Sequence, residues 1–231
     1  MKRSQINQIM RDVLAFCERH HFHLPPFAFW SPADWQSKGP RCRWIVQQQL
    51  GWDITDFGLG DFDRQGLFLF TIRNGTLGGA ADAGSKPYAE KLLIARENQI
   101  TPTHFHWNKV EDIINRGAGE LVCQLWNSDG DDTTADTDVT IVCDGVAQVI
   151  PAGGKITLKP GESVTLPTRL WHKFWAAQGK GTALIGEVSM VNDDHTDNCF
   201  LEPLGRFPKI DEDEPPLHLL TIDYATYYQH A

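Results

Sequence analysis

No two cysteines in this chain stand as C-x-x-C. The five present, Cys17, Cys42, Cys123, Cys143 and Cys199, are odd in number and widely scattered. That excludes the disulfide framework of a small secreted domain and the spacing of a zinc ribbon, and leaves reduced thiols in a cytoplasm as the expectation. Basic residues are scarce too: Lys and Arg total 21 against 30 Asp and Glu, a formal charge of −9. Nucleic acids and anionic membranes are gripped through basic patches, so neither is an expected partner, whereas a neutral small molecule such as a sugar is compatible. No run approaches the ~20 consecutive apolar residues of a membrane span. The opening MKRSQINQIM has no continuous apolar stretch, so no secretory leader is expected. Sequence repeats are also missing. What is present, 41% apolar residues with 8 tryptophans in 231 positions, is enough for a substantial core.

Ile6, Ile9, Met10, Val13, Leu14 and Cys17 recur at helical spacing, with Ser4 as the expected N-cap. Pro25-Pro26 interrupts that pattern, and SPADW (31–35) reads as a cap opening a second, short helix. After Trp52 the period changes. LFLFTIRNG (67–75) reads as a strand ending in an Asn-Gly turn, and GTLGGAADAGS (75–85) as a loop serving either as a lid or as a surface excursion. YAEKLLIAR (88–96), ELVCQLW (120–126), VTIVCDG (139–145), the Gly/Pro-punctuated stretch 147–177 and TALIGEVSMV (182–191) continue the strands. Many short strands with regular turn signals predict an all-β sandwich or barrel. Residues 1–50 form a mostly helical N-terminal extension packed on it, and the whole of 1–231 makes one domain. The acidic loop 128–138 lacks the spacing of a calcium loop and reads as a hairpin tip. IDEDEPP in the tail reads as a solvated charge run.

The chemistry concentrates in TPTHFHWNKVEDIINRGAGE (101–120). His104 and His106, two apart, share one face of a strand. Glu111 comes at an odd spacing, which on an unbroken strand puts it on the opposite face about 17 Å from His106. The chain must therefore turn or bulge between Trp107 and Val110 if the three are to meet. Two imidazoles and a carboxylate form a facial set for a divalent metal, and His172, after a turn-then-strand pattern, is the best-placed fourth ligand. The bland alternative is a pair of ordinary polar residues on a half-exposed strand. Lys91 shares a strand face with Ala89 and Leu93, and on an inward face its ammonium would need a partner.

His104-x-His106-(x4)-Glu111, followed by Gly117 and Gly119, resembles the first cupin motif. Gly161-(x5)-Pro167-(x4)-His172 resembles the second, with Arg169 where cupins often have Gly and Ala176 where they often have Asn. More narrowly, TPTHFHWNKVEDIINRG, YAEKLLIAR, GEVSMVNDD, IDEDEP and PPFAFWSPADW look like bacterial D-lyxose isomerases of the cupin type, over nearly the whole chain. The resemblance implies a cupin β-barrel (double-stranded jelly roll) and an aldose–ketose isomerase acting on D-lyxose and D-xylulose, with D-mannose and D-fructose as longer substrates. It implies Mn²⁺ on His104, His106, Glu111 and His172; Co²⁺, Fe²⁺, Ni²⁺ and Zn²⁺ suit the same ligands. A homodimer is the expected assembly, though no residue pattern specifies it. It places Glu202, in a tail over the open end of the barrel, as the favoured proton-transfer base, with Glu111 as a possible partner. Lys91 becomes a pocket lysine donating to a sugar oxygen, and Glu187 a carboxylate that pairs with it or lies on the exterior. Arg206 bridges tail to barrel or touches substrate hydroxyls. Trp107, Trp171 and Trp175 stack on a sugar or pack in the core. A metal-dependent cupin oxygenase and a non-catalytic sugar-binding cupin remain as alternatives.

Overall fold

The computed structural model describes residues 1–76 and 85–228, so most of the candidate lid at 75–85 lies outside the described residues. Four α-helices, α1 (Arg3–Arg19), α2 (Pro32–Lys38), α3 (Arg43–Gln47) and α4 (Tyr224–Tyr227), flank the strands. The strands are β1 (Gly51–Thr55), β2 (Leu67–Arg73), β3 (Tyr88–Ala95), β4 (His104–His106), β5 (Glu111–Ala118), β6 (Leu121–Trp126) and β7 (Val139–Cys143). They continue with β8 (Val146–Ile150), β9 (Gly154–Leu158), β10 (Ser163–Leu166), β11 (Trp171–Ala176), β12 (Ala183–Met190) and β13 (Asn198–Phe200).

These strands form an eight-stranded sheet in the order β1-β2-β3-β12-β5-β10-β7-β8 and a five-stranded sheet in the order β13-β4-β11-β6-β9. The alternation of β6, buried at Leu121, Cys123 and Leu125 and half-buried between them, is what one dry face produces. Those residues meet Leu93, Ile113, Val164 and Ile185 of the large sheet, so the core lies between two facing sheets. Among the described residues no strand is paired in both sheets.

The outer face of the large sheet is dry as well. Its β1, β2, β3 and β12 offer Trp52, Ile54, Phe68, Phe70, Leu92 and Leu184 to the apolar stripe of α1, Ile6, Ile9, Met10, Val13 and Cys17. Burying each such side chain contributes about 1.5–3 kcal/mol, which is why both faces of β3 are hydrophobic. Ser31 caps α2 as expected, accepting from the Asp34 N–H while the Asp34 carboxylate accepts from Ser31.

Three expectations need correction. Ser4 is not the cap of α1: the helix starts at Arg3, and Ser4 donates its N–H and hydroxyl to Asp213 of the distant tail. Second, IDEDEPP, though exposed at Asp211, Glu212 and Asp213, is more than a solvated run, because it supplies acids that the first turn of α1 lacks. Arg3 binds Glu212 and Asp223, and Asn7 binds Glu214. Third, Asn74 does more than make a turn. Buried, it donates to the carbonyls of Gln48 and Asn192, and a Cβ on the following Gly75 would lie 1.7 Å from the Lys86 carbonyl oxygen.

Candidate active site

β4 carries His104 and His106 toward the large sheet, and Phe105 between them packs outward against Trp107 and Trp171. After His106 the chain bends at Trp107–Asn108 and enters the other sheet at Glu111. The buried Asp197 holds that bend, accepting from the backbone N–H groups of Asn108 and Lys109. The odd spacing is thus resolved by a change of sheet, and Glu111 returns to the imidazoles from across the sandwich. Its Oε2 lies 3.3 Å from His106 Nε2 and its Oε1 3.3 Å from His172 Nε2. His172 faces His104 across the β11–β4 pair, with ring centroids 4.2 Å apart.

The rest of the EDIINRG run explains itself from this placement. Ile113 fills the core. Asn115, fully buried, donates to the carbonyls of Gly119 and Leu158 and accepts from Gly117, whose φ of +142° lies at the register shift between β5 and β12. The turn before His172 is unusual, as the departure at Arg169 suggested. Arg169 has a left-handed φ of 60°, held by its N–H on the His106 carbonyl, an ion pair with Asp132 and stacking over Phe105 and Trp107.

The donor set fits a divalent cation. One donor atom each from His104, His106 and His172 lie within 4.8 Å of one another. His104 Nδ1 lies 2.8 Å from the Pro102 carbonyl and His172 Nδ1 2.9 Å from that of Leu170. Only an N–H makes such a contact, so each Nε2 keeps its lone pair, the arrangement that orients metal-bound histidines. His172 Nε2 and His106 Nδ1 are buried without a hydrogen-bond partner among the described residues. Burial, reinforced by His172 and His106, holds the His104 pKa well below the ordinary value, leaving the neutral, ligating form. Burial would push the Glu111 carboxyl up, but Lys109 and His106 overcome it and hold the group ionised.

A chain of buried charges leads away from this cluster. Lys109 Nζ stands 2.6 Å from Glu111 Oε2 and 2.8 Å from Glu187 Oε1. Glu187 sits directly across from Lys91 in the β12–β3 register, 3.3 Å from its Nζ. Burial opposes the charge on Glu187, but Lys109 and Lys91 outweigh it and lower its pKa. Arg206 Nη2 binds Asp53 Oδ2 at 2.5 Å and Asp194 Oδ1 at 3.2 Å, while its buried Nη1 has no partner among the described residues. Lys91, Lys109, Glu111, Glu187, Asp194 and Arg206 all line one cavity with His104 and His106; Phe57, Leu69, Leu93, Phe174 and Phe200 form its apolar wall.

Of the residues singled out from the sequence, His104, His106, Glu111, His172, Lys91, Glu187 and Arg206 lie together in the structure, but Glu202 does not join them. β13 ends at Phe200, which lines the cavity; the chain then bends at 201–202 and leaves Glu202 exposed on the surface. Trp107, Trp171 and Trp175 do not line the cavity either: the first two pack on Phe105 and the third lies under Lys155. Lys109, Asp53 and Asp194 were missed. Lys109 lies in the irregular segment between two strands, where no periodicity assigns a face. Its signal is electrostatic: two buried carboxylates call for a shared cation.

A family model described as D-lyxose isomerase matches residues 1–224. This chain belongs to the D-lyxose isomerase family. Among the family's curated members, the "D-lyxose/D-mannose isomerase" of Escherichia coli O157:H7 is 50% identical over 229 residues, covering 98% of this chain and 100% of that one. The protein of the same name from Serratia proteamaculans is likewise 50% identical over 229 residues, covering 98% and 99%. Two solved structures lie further off. L-ribose isomerase of Cellulomonas parahominis with L-psicose superposes with a TM-score of 0.60 at 15% identity, covering 91% of this chain and 98% of that one. Acinetobacter sp. DL28 L-ribose isomerase in complex with L-ribose gives 0.61 at 14% identity, with the same coverage. At such identities the likeness speaks for the fold, and it agrees with the cupin-type jelly roll expected for the D-lyxose isomerase family. Among the described residues no helix is long and apolar enough to cross a membrane.

Proposed function

We propose that this protein interconverts D-lyxose with D-xylulose, and D-mannose with D-fructose, by proton transfer through an enediol. One observation carries the reading: two ionised carboxylates, Glu111 and Glu187, are joined by one lysine in a cavity lined by His104 and His106, with His172 beside them. The substrate class comes from the names of the two curated relatives.

Isomerisation moves a proton between adjacent carbons. Glu187, ionised and facing the cavity, is the proposed base. It takes the proton from C2, the C–H electrons become the C1–C2 double bond, and the C1 oxygen accepts a proton. Returning the proton to C1 while O2 releases its own gives the ketose. Lys91 and Lys109 lie where they can donate to the sugar oxygens and meet their developing charge. Arg206, with Nη1 unpaired among the described residues, offers a donor to a substrate hydroxyl. His104, His106, His172 and Glu111 would hold a divalent cation, proposed as Mn²⁺, with Co²⁺, Fe²⁺, Ni²⁺ or Zn²⁺ as substitutes; such an ion polarises the substrate carbonyl.

We take residues 1–231 as one domain, supported by the continuous packing of 1–50 on the large sheet. A homodimer is the proposed assembly, and the edge strand β8, with Val146 and Val149 exposed and no charged side chain, favours it. Five free thiols suit the cytoplasm. The deciding experiment is incubation with D-lyxose and Mn²⁺ in heavy water. D-xylulose carrying solvent deuterium at C1 is expected. Conversion without exchange points to a hydride shift, and no conversion of any of the four sugars removes the isomerase reading.

A further inference from the structure

The two lysine ammoniums share two acceptors, Glu187 and Asn192. Lys91 Nζ and Lys109 Nζ stand 3.3 and 2.8 Å from Glu187 Oε1. They also stand 2.6 and 3.4 Å from Asn192 Oδ1. Asn192 itself is outside the cavity lining, two residues past the end of β12. Its main chain is clamped by the buried Asn74, which accepts the Asn192 N–H at 2.9 Å and donates to the Asn192 carbonyl at 2.9 Å. Its Nδ2 donates to Asp194 Oδ2 at 2.8 Å, and Asp194 in turn holds Arg206. The amide has only one workable orientation here, because ammoniums accept nothing and an ionised carboxylate donates nothing.

We propose that Asn192 is a positioning residue for the isomerisation, bridging both lysines with a neutral acceptor so that no third carboxylate joins Glu187 and Glu111, which already balance the two ammoniums. The inference rests on the isomerase reading above. Two like charges sharing a small volume need bridging acceptors to stay together. Glu187 is one bridge and brings one negative charge; Glu111, 2.6 Å from Lys109, brings the second, so the two ammoniums are already balanced. An amide as the second bridge holds the lysines without adding a third. A carboxylate at 192 would grip them as firmly and leave the cluster net negative; an apolar side chain would leave them unheld. The extra negative charge matters only when the substrate becomes an enediolate, since the neutral sugar has no charge for it to repel. Through Asp194 the same amide sets the opposite cationic wall at Arg206.

The test compares Asn192→Leu and Asn192→Asp with the wild type in the metal-loaded full chain. The wild type is first assayed on the four sugars; inactivity there sinks the isomerase reading and leaves nothing for Asn192 to position. Given an active wild type, both variants are expected to lose about 10- to 100-fold in kcat on D-lyxose with metal content retained. The discriminating readout is inhibition of Asn192→Asp by two ligands. A neutral five-carbon polyol, which resembles the ground state, should inhibit as in the wild type. A four-carbon aldonohydroxamate, whose anion resembles the enediolate, should bind about 10-fold more weakly. Wild-type kcat in either variant overturns the proposal. So does an equal weakening of both inhibitors, which marks general distortion. If Asn192→Leu does not fold, Asn192→Asp carries the test alone.

Discussion

The molecule buries two clusters of charge, and they differ in one respect. At the foot of α1, Arg3 is 1% exposed and every nitrogen of its guanidinium is engaged: Nε on Glu212, Nη1 on Asp223 and Nη2 on both. In the cavity the complement is incomplete, with His106 Nδ1, His172 Nε2 and Arg206 Nη1 buried and unpaired among the described residues. A saturated cluster has nothing left to bind and serves as a clasp between the N-terminal helix and the tail. Unsatisfied polar atoms in a dry place cost stability, on the order of 1–3 kcal/mol each, and persist where a ligand completes them. Saturation, more than burial or charge count, separates the structural cluster from the functional one.

The largest effect that would sharpen this contrast is His172→Ala. Turnover should fall on the order of 10³-fold or more with loss of bound metal, while the metal-free protein keeps its urea midpoint, because an unsatisfied group has been removed. An equivalent loss of stability would put His172 with the clasp instead. Arg3→Ala should do the reverse, costing about 3–5 kcal/mol in urea unfolding by stranding Asp223, with kcat of the folded protein unchanged. Its pH dependence has a defined sign. The hydrogen bond from Arg3 lowers the Glu212 pKa from its ordinary 4.5, so this contribution is present above that value and is lost as pH falls through the lower folded value. The stability gap between wild type and Arg3→Ala should therefore narrow in acid.

Lys109→Met comes next, with a kcat loss of about 100-fold. Without that ammonium, burial pushes the Glu187 carboxyl upward, so the acid limb of the kcat/KM profile should move to higher pH. An unmoved limb would show that Lys91 alone sets Glu187. The smallest effect belongs to Glu202→Gln. Exposed and outside the cavity, it should leave kcat within about twofold and stability within ~0.5 kcal/mol. A large loss of turnover would show that the tail folds inward during catalysis.

Much of this was legible because it is local. Strand periodicity bounded by Gly and Pro marked β2, β3, β6, β7 and β12, and the apolar stripe of α1 named the face that docks on the large sheet. His104, His106 and Glu111 were legible from spacing, and the required turn before Val110 proved to be the crossing between sheets. The rest depends on long-range topology. The cap of α1 comes from Asp213, some two hundred residues away, so no local pattern contains it. Asp53, Lys91, Glu187 and Asp194 meet only because β12 inserts between β3 and β5. Glu202 was named from the resemblance alone, and nothing local in the sequence shows that the chain bends at 201–202 after β13 and leaves it exposed.

All three imidazoles belong to the small sheet and Glu111 to the large one. The bite of the donor set is therefore gauged by the thickness of the filling between the sheets, at side chains such as Leu125, Ile113 and Phe174. Thinning that filling by a methylene or two narrows the gauge without touching a ligand. Interior packing then acts as a tuning screw for which ion is gripped and how tightly, and metal preference becomes a property of the core.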